Sequence, residues 1–505
     1  MPISQRHNYA AIDLGSNSFH LLVATFRSGQ IYPIDSVKHM VRMAAGLDEN
    51  KYITAEYLNK AYESLRLMSE RIQNIPDSHI RIVGTNTLRV AKNSATFIKE
   101  AEKILGHEIE IISGREEARM LYLGVAQSTS GNPSRKLVMD IGGGSTELIV
   151  GDGMRPEMRE SLYMGCVSYM QKYFKGGLIN KENWKKAVLH AQQELNPYLQ
   201  DFKKKGWQHS VGASGTMRAT ADILEANQWS SSGITLEGLK HLKAACLKLG
   251  HVDHLDKIVG LSEDRRPVFM GGLAIVYALM KAFSIEQMDV SMGALREGLI
   301  YEMSDGPQIK SVTKRSVRKL CEQFTVDNLQ AEHVQRYAED ITSKLNLKIK
   351  RRIMALLNAA IKLHEIGLSI AHSGYHKIGA YVVLHADMPG FSNQQKLVMS
   401  TLIRLHRRKI SKSVLAGLTE RQYEVVVQLL VVLRLSVVFA RSRSFEAVPI
   451  ERISWHQNIV QLHINKDWLA NHPLIKADLK DEQKQWSNMG LKLQVNQPQK
   501  AEICP

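Results

Sequence analysis

Apolar residues fall along this chain in two rhythms, short runs bounded by turn residues and longer stretches with helical spacing. Tyr9 to Asp13 is a short apolar run, and Phe19 to Phe26 resumes the pattern after a turn signal at Gly15. Together they predict two strands of a hairpin. Thr54 to Ile75 has helical periodicity, with Leu65, Leu67, Met68 and Ile72 as the apolar set. Ile80 to Thr85 predicts a buried strand, Ala95 to Leu105 a helix, and Glu108 to Ser113 a strand ending at Gly114. A further helix begins in Glu116 to Gly124.

The opening pattern then returns. Lys136 to Asp140 predicts a strand, Gly142 to Gly144 a turn, and Glu147 to Val150 a returning strand. A strand ending in Asp before a Gly-containing turn thus occurs twice, at Asp13 and Asp140. This repetition predicts two related α/β lobes facing each other across a cleft, with the junction near Gly114 to Gly124. SDGPQIK, Ser304 to Lys310, has the Gly and Pro of a linker. From about Ser311 to Arg443 the pattern is almost all helical, including Val334 to Leu345, Lys350 to Leu363, Gln395 to Leu405 and Glu424 to Ala440. After Val448 come short alternating runs, Ile459 to Ile464 and Leu491 to Val495. The expected organisation is lobes over 1–120 and 121–306, a helical domain over 307–446, and a small α+β domain over 447–505.

Composition changes this picture little. With 505 residues, 44% hydrophobic and 23% charged, the chain is globular and long enough for several cores. No run of about 18 apolar residues is present, so no transmembrane helix or membrane partner is expected. The N-terminal MPISQRHNYA lacks the apolar core of a signal peptide. Cys166, Cys246, Cys321 and Cys504 show no paired spacing, and predict free thiols in a reducing, cytoplasmic setting. Charge adds more. A net +16 favours a polyanionic partner. Without an aromatic-rich basic module, zinc finger or RNP-like signature, nucleic acid is not the expected one.

The candidate chemistry lies in the two turns. In Asp13-Leu14-Gly15-Ser16-Asn17-Ser18, glycine lets backbone N–H groups turn toward an anion, and the three polar side chains add neutral donors. The partner segment runs Asp140-Ile141-Gly142-Gly143-Gly144-Ser145-Thr146-Glu147. Either loop alone could be only a tight hairpin; two, each led by a strand-end Asp, point to phosphate. Gly212-Ala213-Ser214-Gly215-Thr216 joins a strand to a helix, where N–H groups suit an anion. Gly293-Ala294-Leu295-Arg296-Glu297-Gly298 does likewise, or is a packing turn.

The segments DLGSNSFH, VGTNTLR, IISGREEAR, DIGGGSTEL, VGASGT and GALREG, in this order, resemble the exopolyphosphatase/guanosine pentaphosphate phosphohydrolase family. The match is specific over about 8–304 and looser beyond, as in the family's long form. The resemblance implies two actin-like, ribonuclease-H-like lobes that hydrolyse a terminal phosphoanhydride in their cleft. It places Glu117 at the catalytic glutamate, and such hydrolysis needs an oriented water and charge-neutralising donors. Glu116 is expected to complement the helix dipole only. Asp140 and Glu147 would position water or Mg²⁺, the expected cofactor. Arg89 could fork onto a phosphate, and Arg265 and Arg266 occupy the position of a family basic pair. His20 stands where some members carry Arg; its charge would depend on pH. His364-Glu365, with His372, His376, His385 and His406 nearby, resembles an HD-type phosphohydrolase site that has lost its His-Asp pair. That domain is expected to bind phosphate chains through Lys348 to Arg352 and His406 to Lys409, or to contact a partner. A homodimer is expected.

Two substrates compete. AAIDLGSNSFHLLV, VRMAAGLDE and GLAIVYAL are closer to the branch that converts guanosine pentaphosphate to tetraphosphate, and so is WLANHPLIKADLKDEQKQW. HEIGLSIAHSGYHKIGAY, DIGGGST and LIRLHRRKI look like the branch that trims inorganic polyphosphate. The same fold also hosts ATP-dependent kinases, ATPases and nucleotide-binding proteins without turnover.

Overall fold

A computed structural model describes residues 8–27, 30–129, 135–304, 310–386, 388, 390–443 and 447–496. Cys504, residues 1–7 and linker residues 305–309 lie outside these. The chain divides into two compact units, meeting between 309 and 310.

In the first unit, β1 (Asn8–Leu14), β2 (Phe19–Arg27) and β3 (Gln30–His39) form an antiparallel meander. Then follow α1 (Ala55–Ile72), β4 (Ile80–Gly84), α2 (Asn86–Val90), α3 (Ser94–Leu105), β5 (Ile109–Ile111) and α4 (Gly114–Ser128). The pattern repeats with β6 (Lys136–Ile141), β7 (Thr146–Asp152) and β8 (Arg155–Leu162). After them come α5 (Cys166–Tyr173), α6 (Lys181–Lys205), β9 (His209–Ala213), α7 (Ser214–Ala226), β10 (Ile234–Thr235), α8 (Leu236–Leu249), α9 (Phe269–Phe283), β11 (Gln287–Val290) and α10 (Leu295–Met303). Among the described residues the sheets run β3-β2-β1-β4-β5 and β10-β11-β9-β6-β7-β8. Read in the opposite sense, the second repeats the first: a three-strand meander, then parallel strands beside its first member. This is the actin-like α/β architecture.

The repeat was visible from Asp13 and Asp140, but the boundary near 120 needs correction. Helix α10 leaves the second half and packs on the first, with Leu295, Leu299 and Ile300 against Ala11, Leu22 and Val83. It crosses α4 so closely that a Cβ on Gly298 would lie 1.9 Å from the Met120 carbonyl oxygen. Beside this crossing, Arg119 holds Glu116 at 2.8 Å and Glu302 at 2.5 Å, while Arg81 pairs with Glu110 at 3.0 Å and with Glu302. Glu116 is therefore a buried structural carboxylate, more than a helix-end charge. Strand β3 and the 25-residue α6 were not foreseen. Strand β3 is half exposed and lacks an apolar run; α6 buries only five residues, spread over its length.

The second unit holds α11 (Lys310–Gln323), α12 (Asn328–Lys344), α13 (Arg351–Leu363), α14 (Tyr375–His385), α15 (Asn393–Leu405), α16 (Lys412–Ala416) and α17 (Glu420–Phe439). The chain continues through β12 (Ile450–His456), β13 (Ile459–Ile464), α18 (Lys466–Asn471), α19 (Pro473–Trp486) and β14 (Lys492–Val495). One core runs from Val317 to Leu493, so 307–446 and 447–505 are not separate domains. Arg434 on α17 ties them together. It pairs with Glu482 on α19 at 2.6 Å and also donates to the Arg408 carbonyl at 2.9 Å. Glu365 pairs with Arg443 at 3.0 Å, and His364 and His406 are buried with lowered pKa values caused first by burial. His406 is thus a core residue, contrary to its expected place in a basic contact segment.

Two segments, Arg266–Phe283 and Glu420–Ser442, are long and apolar enough to cross a membrane by length and composition, though 72% of each such window is buried inside the molecule. Lys281 and Arg434 break their apolar runs, which is why the sequence showed none.

Candidate active site

Both hairpin turns sit at the same end of their sheets. Asp13 and Asp140 are penultimate in β1 and β6, and each faces a residue seven places on, Asp13 to His20 and Asp140 to Glu147. The turns face each other: a Cβ on Gly143 would lie 2.9 Å from the Ser16 Cβ and 3.2 Å from the Asn17 nitrogen. Gly143 has no positive φ, so close approach and not backbone conformation demands glycine there. The Ser16 carbonyl accepts from Ala44 N at 2.8 Å, and the Asn17 carbonyl from Arg42 N at 2.8 Å. The Gly142 and Gly143 carbonyls accept from Cys166 N and Val167 N, each at 2.9 Å. Each loop is therefore held from behind, which leaves its front free.

The cleft between them encloses about 830 Å³, including space open to solvent. Of the foreseen residues, Asp13, Gly15, Ser16, Asn17, Ser18, Glu117, Asp140, Gly142, Gly143, Ser145, Glu147, Ser214, Gly215 and Arg265 line it. Five do not. Gly144 gives room to the Asn86 side chain, and Gly212 to Met217. The Thr216 hydroxyl donates to the Ile141 carbonyl at 3.1 Å. Arg266 lies outside the lining, with its Nε buried. Arg89 donates to Glu117 Oε2 at 2.8 Å and to the Ile112 carbonyl at 2.9 Å. It fixes the candidate base from outside the cleft lining.

Glu117 sits in the first turn of α4, whose Ser113 cap accepts from Glu116 N at 3.2 Å. Around it the acids are crowded. Burial, then repulsion from Glu117, pushes Asp13 up to about 8. Burial also raises Asp140 to about 6, against a hydrogen bond from Ser214 that lowers it. Glu147 is raised well above its ordinary value by burial and by Glu117 and Asp140; its Oε1 accepts from Ser161 at 2.8 Å. Asp13 Oδ1 and Asp140 Oδ1 are buried without a partner among the described residues.

Sequence reasoning gave no role to two arginines. Arg218, one helical turn after Ser214, and Arg296, inside GALREG, line the cleft with Arg265. None of the three has a carboxylate at ion-pair distance among the described residues, and burial, then Arg296, lowers the Arg218 pKa. Four-residue spacing along α7 from the Ser214 turn could have found Arg218. Burial and these cations with Lys38 drive His20 down to about 2, so its ring is neutral at ordinary pH and not pH-dependent as expected; its Nε2 lies 2.7 Å from Ser18 Oγ. Ser214 has φ of 69°, a strained value for a non-glycine residue at a candidate site.

An actin-like fold whose cleft is lined by glycine turns, arginines and carboxylates defines a class of phosphoryl-handling proteins. Comparison with known proteins narrows it: residues 22–306 match the Ppx/GppA phosphatase family and 312–483 its domain III. The chain belongs to this family. It is 39% identical over 496 residues to a guanosine-5'-triphosphate,3'-diphosphate pyrophosphatase of Pseudoalteromonas translucida, covering 97% of this chain and 99% of that one. It is 38% identical to the protein of the same name in Aliivibrio fischeri, covering 97% and 98%. Among solved structures, an exopolyphosphatase from Cytophaga hutchinsonii aligns with TM-score 0.55 at 22% identity, over 59% of this chain and 98% of that one. A Ppx/GppA family member from Aquifex aeolicus aligns at 0.51 and 24%, over 59% and 97%. These two bear on the fold alone.

Proposed function

We propose that this protein hydrolyses the terminal 5'-phosphate of guanosine pentaphosphate, giving guanosine tetraphosphate and phosphate. The carrying observation is the Arg89-held Glu117 carboxylate, at 2.8 Å, facing a cleft of two opposed glycine turns and three guanidiniums that have no carboxylate at ion-pair distance among the described residues. The name that both long relatives carry supports this substrate.

In this reading the terminal phosphoryl group sits between the Gly15–Ser18 and Gly142–Ser145 turns. Arg218, Arg265 and Arg296 offset its charge. Glu117 orients a water and takes its proton as the water oxygen attacks phosphorus. The bond to the bridging oxygen breaks, and the shortened nucleotide leaves with the electron pair. Mg²⁺ usually binds one or two carboxylates plus substrate phosphates. The orphaned Asp13 Oδ1 and Asp140 Oδ1 fit that need, with Glu147 paired beside Asp140 and held by Ser161. Among the described residues no three such side chains form a cage, so phosphate oxygens would complete the set. When bound, the ion would neutralise charge on the phosphates.

A second reading, release of phosphate from inorganic polyphosphate, is favoured by the open cleft and net +16, which suit a longer polyanion. The buried thiols Cys166, Cys246 and Cys321 support a reducing, cytoplasmic setting. Product analysis with guanosine pentaphosphate, long polyphosphate and ATP offered separately tests the proposal. Tetraphosphate plus phosphate from the first is expected. Turnover of ATP alone would overturn it.

A further inference from the structure

The register of the first meander extends the cleft in a direction that the glycine turns do not mark. Asp13 pairs with His20, and His20 pairs with Lys38, across β1, β2 and β3. Cross-strand partners project to the same face of a sheet, so the three side chains form one row. Two strand spacings carry that row about 10 Å outward from Asp13. Asp13 and His20 line the cleft, whereas Lys38 stands beyond the lining, at the rim. Its charge reaches His20, since Lys38 is among the cations that keep that ring neutral.

Lys38 is not idle. Its Nζ lies 2.9 Å from Asp264 Oδ2, a contact from the first half of the unit to the second. Both side chains are about a third exposed, 35% and 36%. Asp264 directly precedes Arg265, which lines the cleft and lies against Gly215. The Asp264 carboxylate is also held by its own turn, with Ser262 Oγ donating to Oδ1 at 2.5 Å. A partly exposed ion pair of this kind adds little to stability, so exchange of its anion costs little. A phosphate group brings more charge and more acceptor oxygens than a carboxylate.

We propose that Lys38 is a substrate-binding residue for a phosphate group beyond the reacting one, and that Asp264 occupies it until the substrate arrives. This rests on the proposed hydrolysis of a polyphosphorylated substrate. The row supplies a neutral imidazole and then an ammonium to a chain of phosphates leading out of the cleft, while Arg265 follows the freed Asp264 in sequence. Lys38 touches no reacting atom, so it acts on binding and not on the chemical step.

A structural clasp and a subsite differ in sign. If Lys38–Asp264 only braces the two halves, Lys38→Met and Asp264→Asn harm the protein alike. If Asp264 is a placeholder, the two changes act in opposite directions. The experiment is calorimetric titration of the full chain with tetrapolyphosphate, beside phosphate release with the same compound. Lys38→Met is expected to weaken binding about tenfold with kcat nearly unchanged. Asp264→Asn is expected to tighten binding about two- to threefold. The double variant should match Lys38→Met, because Asp264 acts only through Lys38. Losses of the same sign in both single variants, or no change in either, overturn the proposal. Opposite shifts in the two single variants, with no phosphate released by the wild-type chain, would leave the subsite standing and defeat the hydrolytic reading instead.

Discussion

The two halves of the first unit present matching rows with different chemistry. Asp13, His20 and Lys38 stand in one sheet where Asp140, Glu147 and Ser161 stand in the other. Backbone, register and spacing are shared; the side chains are not. The first row grades from acid to neutral ring to cation. The second grades from acid to acid to hydroxyl. Burial pushes both middle residues toward their uncharged forms, His20 downward to about 2 and Glu147 upward. A duplicated scaffold can thus hold phosphate on one side and provide carboxylates on the other.

The largest effect is expected where the rows meet. Glu117→Gln keeps shape and removes the basic oxygen, so kcat should fall about 10²–10⁴-fold with substrate binding retained. Single-turnover rates beside a binding titration check this; wild-type turnover would end the assignment.

Gly143→Val forces the two turns apart, because its Cβ has the Ser16 side chain at 2.9 Å. A misplacement on this scale costs about a hundredfold in activity. Thermal melts should move far less, and equal losses would reduce the glycine to a packing role.

His20→Glu makes the first row resemble the second. The new carboxylate would compete with phosphate for Arg265, Arg296 and Lys38, raising KM about tenfold. An unchanged KM would show that the rows need not differ.

The smallest effect concerns pH. Asp13 and Asp140 hold protons more tightly folded than unfolded, so the folded state binds more protons above pH 3.8. Stability is therefore lost as pH rises through about 6 and then about 8. Melting temperature without divalent cations should fall by a few degrees over that window, and Asp13→Asn should flatten the slope. A rising profile would contradict the burial of these acids.

Much of this was legible in the sequence because it depends on local pattern. The hairpins, Gly-rich turns and strand-end Asp residues follow from spacing. What escaped depends on distant partners. Arg89 was readable as a cation, but only the fold brings it to Glu117, 28 positions away. Arg296 reaches the cleft because α10 returns to the first half. The C-terminal strands share the helical core, and no local composition announces that.

The Arg434–Glu482 pair has a bearing on how the second unit is made. The two residues are 48 positions apart, and Arg434 is synthesised first. Until α19 leaves the ribosome, the apolar faces of α17 have helices to meet but its guanidinium has no carboxylate. Burying that charge alone costs about 3–5 kcal/mol, so the nascent helices are expected to stay open until the last segment arrives. Synthesis of α19 would then time the closure of everything from Val317 onward, and a ribosome stalled before Glu482 should expose a protease-sensitive intermediate.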